Sequence, residues 1–281
     1  MIAAVALANA TARLKAAQVP DAANDARILL AYVLKIDRSR LLLILPDEIS
    51  PETAHSYDIA ITARCSRQPV SQITKTRGFY GRDFIVSPQV LDPRPDTELL
   101  IDTALAAPFE TVLDLGTGSG CILLTLLAEN QNANGVGADI SDTALAVANQ
   151  NAGALGLQSR CRFQNSNWFD EIDGKFDLII SNPPYISAAQ MQDIAPEVRD
   201  WEPKLALTPG GDGLNPYRII TAAAQGFLTP NGRLIVEIGA TQGAAVTALF
   251  ESCGYNEITV MQDINGHDRL VLAQPSCFWT V

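Results

Sequence analysis

The chain has 281 residues, of which 47% are hydrophobic and 18% charged, and its formal net charge is −11. This composition predicts a globular protein with a sizeable core, and no segment has the apolar length that a membrane-spanning helix requires. The five cysteines have no paired spacing, which argues against a disulfide framework and a zinc site, so we expect no bound metal.

The negative charge is unevenly distributed along the chain. Residues 1–80 contain ten basic and seven acidic side chains, whereas the remaining 201 residues contain ten basic and 24 acidic ones. An acidic domain repels nucleic acid unless it carries a local basic groove. Although solubility alone is an equally good explanation, the distribution leans against a nucleic-acid substrate.

The N-terminal part of the chain has helical periodicity. Apolar residues recur at helical spacing near residues 2–17, 22–35 and 51–66, and no strand pattern occurs there. The first segment has no basic stretch before it, which favours an amphipathic helix over a signal peptide, and we therefore expect a cytoplasmic protein. Residues 1–75 should form a small helical domain, joined to the rest of the chain by a β-hairpin at residues 76–90.

From Thr111 onward, apolar strands alternate with helical segments. The predicted strands are residues 111–116, 134–140, 161–166, 176–182, 232–239, 257–263 and 268–274. The predicted helices lie near residues 119–130, 142–154, 216–228 and 241–252. This alternation predicts an α/β domain over residues 91–281, with a doubly wound, seven-stranded, mostly parallel Rossmann-like sheet. A short turn joins the last two strands, so they should pair as an antiparallel hairpin.

A glycine-rich turn follows the first of these strands. In "DLGTGSGC", Asp114 to Cys121, the three glycines allow a sharp turn and the close approach of a ligand. The spacing is not the G-x-G-x-x-G of dinucleotide-binding folds, and the acidic Asp114 beside the turn disfavours a pyrophosphate but suits a cationic amino acid group. A tight turn that binds nothing is the alternative explanation.

The next strand ends in an acidic residue. Asp139 lies 23 positions after Gly116, where its carboxylate would accept both hydroxyls of an unphosphorylated ribose. Asp139 could instead help to start the next helix, although Ser141 already suits the N-cap. Together, the glycine turn and the two acids describe a nucleoside ligand with a positively charged amino acid portion and no phosphates. S-adenosylmethionine has these properties.

Another buried strand ends abruptly in Asn182, Pro183, Pro184 and Tyr185. The two prolines lack N–H donors and leave backbone carbonyls without competing donors, while Asn182 adds a side-chain oxygen. These acceptors, with the aromatic face of Tyr185, suit a planar –NH2 group. A proline turn that merely stops the strand is the alternative.

Such a pocket would solve a chemical problem. The nitrogen of an amide or an exocyclic amine attacks a methyl sulfonium poorly, because its lone pair is delocalised. Holding both N–H bonds out of conjugation aims the lone pair and favours the geometry of the transition state. No strong base is then required, which agrees with the absence of histidine near this motif, since the only two are His55 and His267.

At these residues the sequence resembles the class I methyltransferases that act on planar amines, in particular the HemK/PrmC family of protein-glutamine N-methyltransferases. The resemblance spans nearly the whole chain. Beside "DLGTGSGCI" at 114–122 and "SNPPYI" at 181–186, its more specific motifs are "VLDPRPDTELL" at 90–100 and "EVRDWEPKLALTPGGDGLNPYR" at 197–218. Asp92 departs from many relatives, in which an apolar residue is expected.

The resemblance implies a substrate and a cofactor. The substrate would be the glutamine of the Gly-Gly-Gln loop in class I peptide-chain release factors, methylated on its side-chain amide nitrogen. S-adenosylmethionine would supply the methyl group, with S-adenosylhomocysteine as product. Residues 1–75 would dock the protein substrate, and we expect a monomer that does not bind nucleic acid or membranes directly.

The resemblance also implies roles for individual residues. The expected cofactor-binding residues are Gly116, Thr117, Gly118, Ser119, Gly120, Asp139, Trp168 and Asn182. Asn182, Pro183 and Tyr185 would be catalytic and, together with Pro184, would bind the glutamine. Trp168 would pack beside the adenine, although an ordinary core aromatic is the alternative. Arg94 and Glu98 would shape a lid over the cofactor or, equally, form a turn and helix start after Pro95.

Three alternatives to this function stay open. A ribosomal-protein glutamine methyltransferase would differ only in its partner. A DNA or RNA amine methyltransferase would grip a flipped base in the same way, but residues 1–80 are too weakly basic for a convincing target-recognition region. A cofactor-sensing or dinucleotide-binding module without activity is disfavoured by the G-x-G-x-G spacing and by Asn182.

Overall fold

The computed structural model describes residues 1–275, which form two compact units. The first unit contains Met1–Thr76 together with a later segment, Ala195–Trp201, and the second contains the remaining described residues. Among residues 1–275, no helix is long and apolar enough to span a membrane.

The first unit is helical, as the periodicity predicts. Its helices are α1 (Ala3–Ala16), α2 (Ala22–Leu34), α3 (Leu41–Ile44), α4 (Pro51–Cys65), α5 (Val70–Thr74) and α9 (Pro196–Arg199), with a 3₁₀ turn at Arg38–Arg40. The three long helices are confirmed to within about one residue at each end, and they bury a shared apolar cluster that includes Leu14, Leu29 and Ile61. Helices α3, α5 and α9 are only four or five residues long, too short for a periodic pattern to predict.

The second unit is an α/β domain. Its strands are β1 (Thr76–Phe79), β2 (Arg82–Ile85), β3 (Thr111–Leu115), β4 (Asn134–Asp139), β5 (Cys161–Asn165), β6 (Phe176–Ser181), β7 (Leu228–Glu237), β8 (Tyr255–Gln262) and β9 (Asp268–Pro275). Its helices are α6 (Glu98–Leu105), α7 (Cys121–Glu129), α8 (Asp142–Leu155), α10 (Lys204–Leu207), α11 (Asn215–Ala224) and α12 (Gly243–Ser252), with 3₁₀ turns at Pro95–Thr97 and Gln190–Gln192.

The sheet topology is the one that the alternating pattern predicts. Strands β1 and β2 form a separate two-stranded sheet, and the other seven lie in the order β5-β4-β3-β6-β7-β9-β8. Neighbours from β5 to β7 are parallel, whereas β9 is antiparallel to both β7 and β8. The central strands β3 and β6 are buried on both faces, as is usual when crossover helices cover a parallel sheet. The predicted fold class is therefore confirmed.

The predicted bounds differ most from the structure between α11 and β7. Strand β7 begins at Leu228 rather than at 232, and the preceding helix ends at Ala224 rather than at 228. Phe176 pairs with Leu228, and a register shift before Leu178 absorbs the Pro-Asn-Gly stretch at 230–232 that reads as a turn. Strand pairing thus starts at Leu228, before the Pro-Asn-Gly stretch that reads as a turn in the sequence.

A buried ion network joins the later segment of the first unit to its helices. The Arg64 Nε donates to Asp25 Oδ2 at 2.7 Å, and its Nη2 donates to Glu197 Oε1 at 3.1 Å. Arg67 Nη2 donates to the other oxygen of Glu197 at 2.7 Å. The Arg64 and Asp25 side chains are only 7% and 11% exposed. Because little water reaches these two charges, each is stabilised mainly by its ion-pair partner.

We expect Arg64→Met to lower the free energy of unfolding by about 3–5 kcal/mol, because it leaves the Asp25 carboxylate buried without its partner. The matched control is Arg13→Met, which breaks an ion pair with Asp58 whose side chains are 44% and 60% exposed. That control should cost less than about 1 kcal/mol. Urea denaturation followed by far-UV circular dichroism measures both, and similar losses in the two variants would contradict the prediction.

Candidate active site

The glycine turn lies between β3 and α7 at the carboxyl end of the sheet. Gly116, Gly118 and Gly120 have φ angles of +71°, +54° and +78°, a region that other residues rarely adopt. The backbone N–H groups of Gly116 and Thr117 both donate to Ala138 O, which ties the turn to the end of β4. A Cβ at Gly120 would lie 3.2 Å from that of Ala148, so this glycine also lets α7 pack closely on α8.

Asp114 lies beneath this turn and lines neither of the two cavities of the site. Its side chain is fully buried, and its Oδ2 accepts a hydrogen bond of 2.6 Å from the Thr117 hydroxyl. Burial raises the pKa of Asp114 to about 7, although the Thr117 hydroxyl opposes that effect. The sequence suggests that this acid meets a cationic ligand group, but the structure shows it bracing the turn from below.

Asp139 occupies the end of β4 and lines the larger of two adjoining cavities, which has a volume of about 190 Å³. Its Oδ2 accepts from Gly118 N and its Oδ1 from Ser141 N, both at 2.9 Å. Burial raises the pKa of this carboxyl group, although the backbone donors oppose the shift. Each oxygen keeps a second lone pair, so the carboxylate can still accept two ligand hydroxyls. Ser141 caps α8, as its position predicts, because its Oγ accepts from Ala144 N.

The larger cavity brings together six of the residues that the sequence predicts for the site. They are Gly116, Gly118, Asp139, Trp168, Asn182 and Pro184. Thr117 and Ser119 line a second cavity of about 40 Å³, which shares Gly116, Gly118 and Asn182 with the first. Gly120, Pro183 and Tyr185 line neither cavity. Asn182 therefore lies where the two spaces meet.

Trp168 has an unusual backbone on the wall of the larger cavity. Its φ is +56°, a left-handed conformation that is a genuine outlier for a bulky residue. The Ser166 hydroxyl donates to Trp168 O at 3.0 Å, and Ser166 N donates to Asp139 O at 3.0 Å. The loop that carries the indole is thus tied to the strand that carries the acid.

The chain after β6 is held on both sides. Ser181 Oγ donates to Leu115 O at 2.7 Å, which joins the end of β6 to the end of β3. Tyr185 O accepts from Gln242 Nε2 at 3.0 Å, and burial raises the pKa of the Tyr185 phenol to about 12, so the phenol stays neutral. Gly213 has a φ of +79°, and a Cβ there would lie 2.3 Å from Tyr185 O. Only glycine allows the 210–213 loop to pack against this backbone.

The two residues expected to shape a lid have different surroundings. Arg94 lines the smaller cavity, and its Nη2 lies 2.6 Å from both carboxylate oxygens of Glu202. Burial raises the pKa of Glu202 to about 7, although Arg94 opposes that shift. Glu98 instead accepts from Tyr80 N at 2.9 Å, at the turn of the β1–β2 hairpin, and lines neither cavity.

Sequence reasoning missed two polar residues next to the site. Thr97 lines the smaller cavity, and its hydroxyl donates to Glu237 Oε2 at 2.7 Å. Glu237 lies at the end of β7 and is 2% exposed. Burial raises its pKa to about 7, although the hydrogen bond from Thr97 opposes that shift. The signal available in the sequence is an acid within the apolar run "RLIVEIG" at 233–239.

Known proteins resemble this chain along its whole length. Residues 5–74 match the family model of the PrmC N-terminal domain, and residues 84–212 match that of the methyltransferase small domain. The release factor glutamine methyltransferase of Cereibacter sphaeroides is 54% identical to this chain, in an alignment that covers 98% of this chain and 99% of the relative. The enzyme of the same name from Rhodospirillum rubrum is 43% identical over 93% of this chain and 82% of its own.

Among solved structures, the hMettl16 catalytic domain in complex with MAT2A 3'UTR hairpin 6 superposes with a TM-score of 0.58. The match covers 75% of this chain and 81% of that one at 15% identity, so it supports the fold alone. The identities to the two bacterial enzymes confirm the resemblance that the motifs indicate. The chain belongs to the HemK/PrmC family of release factor glutamine methyltransferases.

Proposed function

We propose that this methyltransferase transfers the methyl group of S-adenosylmethionine to the side-chain amide nitrogen of the Gly-Gly-Gln glutamine in class I peptide-chain release factors. The observation that carries the proposal is the position of Asn182, which lines both cavities together with Gly116 and Gly118. An amide acceptor at that junction suits a substrate –NH2 group that must meet a cofactor. The protein substrate follows from the names of the relatives.

We assign the nucleoside part of the cofactor to the larger cavity, which contains Asp139 and Trp168. We propose that Asp139 accepts the ribose hydroxyls, that Trp168 packs beside the adenine, and that residues 116–120 hold the methionine portion. A Cβ at Gly116 would meet no atom within 4 Å, so the turn leaves open space above its backbone. S-adenosylmethionine, when bound, supplies an electrophilic methyl carbon.

The second half of the proposal concerns the glutamine amide. Asn182 Oδ1 and a backbone carbonyl of the Asn-Pro-Pro-Tyr turn would accept its two N–H bonds, with Pro183 and Pro184 keeping competing donors away. The neutral Tyr185 phenol would offer an aromatic face to the amide plane. Among the described residues that line the two cavities there is no histidine, and proton release to water fits the acidity of a methylated amide nitrogen.

We further propose a division of labour between the parts of the chain. Residues 91–281 form the methyltransferase domain, residues 76–90 act as a hairpin linker, and residues 1–75 dock the release factor. A substrate that acts in translation implies a cytoplasmic enzyme, which we propose works as a monomer without direct contact to nucleic acid.

Mass spectrometry of release-factor peptides after incubation with S-adenosylmethionine tests the proposed function. We expect the Gly-Gly-Gln glutamine to gain one methyl group with wild-type protein. Asn182→Ala should reduce the rate at least ~10²-fold, because the acceptor that orients the nitrogen is lost. The matched control is Asn149→Ala, on the exposed side of α8, which should leave the rate unchanged.

Parallel incubations with ribosomal proteins and with duplex DNA, each with labelled cofactor, complete the design. Methyl transfer to either of these and not to the release factor would overturn the proposed substrate. An active Asn182→Ala variant would overturn the role of the amide and leave the substrate assignment intact.

Asp139→Asn should weaken S-adenosylmethionine binding by about tenfold to a hundredfold, since hydrogen bonds to a charged acceptor contribute about 1.5–3 kcal/mol. The new –NH2 group would face Gly118 N or Ser141 N, both of which are donors. Isothermal titration calorimetry gives the dissociation constant. Asp142→Asn, an exposed residue in the first turn of α8, is the control and should stay within about threefold of wild type.

The docking role of residues 1–75 can be tested at α3. Leu42 and Leu43 are 75% and 72% exposed, and exposed apolar side chains of this size often mark a protein-binding surface. We expect Leu42→Ser combined with Leu43→Ser to lower kcat/KM for the full-length release factor by about tenfold or more. Methylation of a short Gly-Gly-Gln peptide should not change, and equal losses on both substrates would count against docking here.

A further inference from the structure

Three polar side chains, two of them buried, form a series of hydrogen bonds that ends at the Asn182 amide. The Thr97 hydroxyl donates to Glu237 Oε2 at 2.7 Å, and Asn182 Nδ2 donates to the Thr97 oxygen at 3.3 Å. Thr97 and Glu237 are each 2% exposed, and Asn182 is half-buried. These hydrogen bonds link β7, the 3₁₀ turn before α6 and the end of β6.

The chemistry of the three groups fixes the direction of these hydrogen bonds. An ionised carboxylate only accepts, and a hydroxyl has one proton, so Thr97 donates that proton to Glu237. The Thr97 oxygen can then only accept, and the group that it accepts from must be the –NH2 of Asn182. Because the two ends of an asparagine amide have nearly the same shape, this bond decides which end faces the cavities.

We infer that Thr97 and Glu237 are positioning residues, which hold the Asn182 amide with its oxygen directed to the substrate nitrogen. The inference rests on the proposed function, since an acceptor is needed there only if a –NH2 group is the target. Without the Thr97 hydroxyl, the amide could turn and present its own –NH2 group to the substrate. Two donors would then face each other, and the substrate amide would lose one of its two acceptors.

The carboxylate of Glu237 does not contribute to the pairing of its strand. Its backbone oxygen accepts from the Tyr217 hydroxyl at 2.9 Å, and its strand pairs with Leu270 of β9, whatever the side chain is. Burying a charge among apolar strands is unfavourable. A leucine of similar size would pack there without that cost, so we take the acid to serve a purpose beyond packing, and the hydrogen bond that it accepts from Thr97 supplies one.

The ionisation state of Glu237 should control the direction of the hydrogen bonds that join Glu237, Thr97 and Asn182. The charged and titratable groups around it are Asp96, Arg94, Arg269, Cys121, Tyr185 and Tyr217. Burial, reinforced by Asp96 and opposed by the Thr97 hydroxyl and by Arg269 and Arg94, raises its pKa to about 7. Once protonated, the carboxyl can donate to Thr97, whose own proton then becomes free to donate to Asn182 Oδ1. The amide would turn, so methyl transfer should decline as the pH falls below about 7.

The test compares variants at Thr97 with a control of similar burial. Thr97→Val keeps the shape and removes the hydroxyl, and we expect kcat on a release factor to fall about 10- to 100-fold, as for other losses of positioning. Its dissociation constant for S-adenosylmethionine should change less than about threefold. Thr97→Ser, which keeps the hydroxyl, should recover most of the rate. Thr103→Val on α6 removes another buried hydroxyl, one that bonds Leu99 O, and should not affect kcat.

Glu237→Leu and the pH profile of the wild type provide a second measurement that does not depend on Thr97 variants folding. We expect kcat of the wild type to fall as the pH drops from 8 to about 6. Glu237→Leu, which removes the acceptor of the Thr97 hydroxyl, should show a low rate without that dependence. A flat wild-type profile, or a Thr97→Val variant with kcat within about threefold of wild type, would overturn the inference. Equal losses in Thr97→Val and Thr97→Ser would indicate a packing effect and overturn it too.

Failure of the inference and failure of the proposed function give different results. If wild-type protein methylates the release factor but the Thr97 variants behave as the Thr103 control does, the positioning role is wrong and the function stands. If wild-type protein does not methylate the Gly-Gly-Gln glutamine at any pH, the proposed function fails, and the inference fails with it.

Discussion

The reversal of strand order at β3 is the constraint on which the site depends. Strand β3 lies between β4 and β6, so the crossovers on its two sides lead away in opposite directions and leave a crevice at the carboxyl ends. Each of the three strands ends in a different part of the candidate site: the glycine turn, Asp139 and Asn182. Their proximity is thus a property of the topology. The loops only have to supply side chains of the right chemistry, and Trp168 and Pro184 complete the larger cavity in this way.

A similar arrangement of buried polar groups supports two parts of the site. Thr117 donates to Asp114 at 2.6 Å below the glycine turn, and Thr97 donates to Glu237 at 2.7 Å beside Asn182. In each pair a threonine hydroxyl joins the residues that line a cavity to a carboxyl group buried in the sheet. Such groups cost stability, and proteins accept that cost where a site needs rigid neighbours. The core of this sheet is therefore less apolar near the crevice than the hydrophobic patterns of its strands suggest.

Much of the fold and part of the site could be predicted from the sequence. The strands and long helices have clear periods, and the glycines, Asp139 and Asn182 follow strands whose carboxyl ends must meet. The burial of the Asp114 side chain could not be predicted. The pattern of apolar residues in a strand does not show whether an acid near its end points beneath the glycine turn or toward a ligand. The bond between Thr97 and Glu237 joins residues 140 positions apart, and nothing local connects a polar residue in a turn with an acid in a distant strand.

The short segment Ala195–Trp201 has a consequence for how the protein is made. Glu197 is the partner of Arg64 and Arg67, yet 130 residues separate it from Arg67. A ribosome that adds 5–20 residues each second needs on the order of 10 s to cover that distance. During this interval the helical bundle has emerged with Arg64 paired only with Asp25, and with Arg67 still without the Glu197 carboxylate. The N-terminal helices therefore cannot reach their final state first and alone, and the last step of their maturation must wait for a stretch encoded in the middle of the catalytic half.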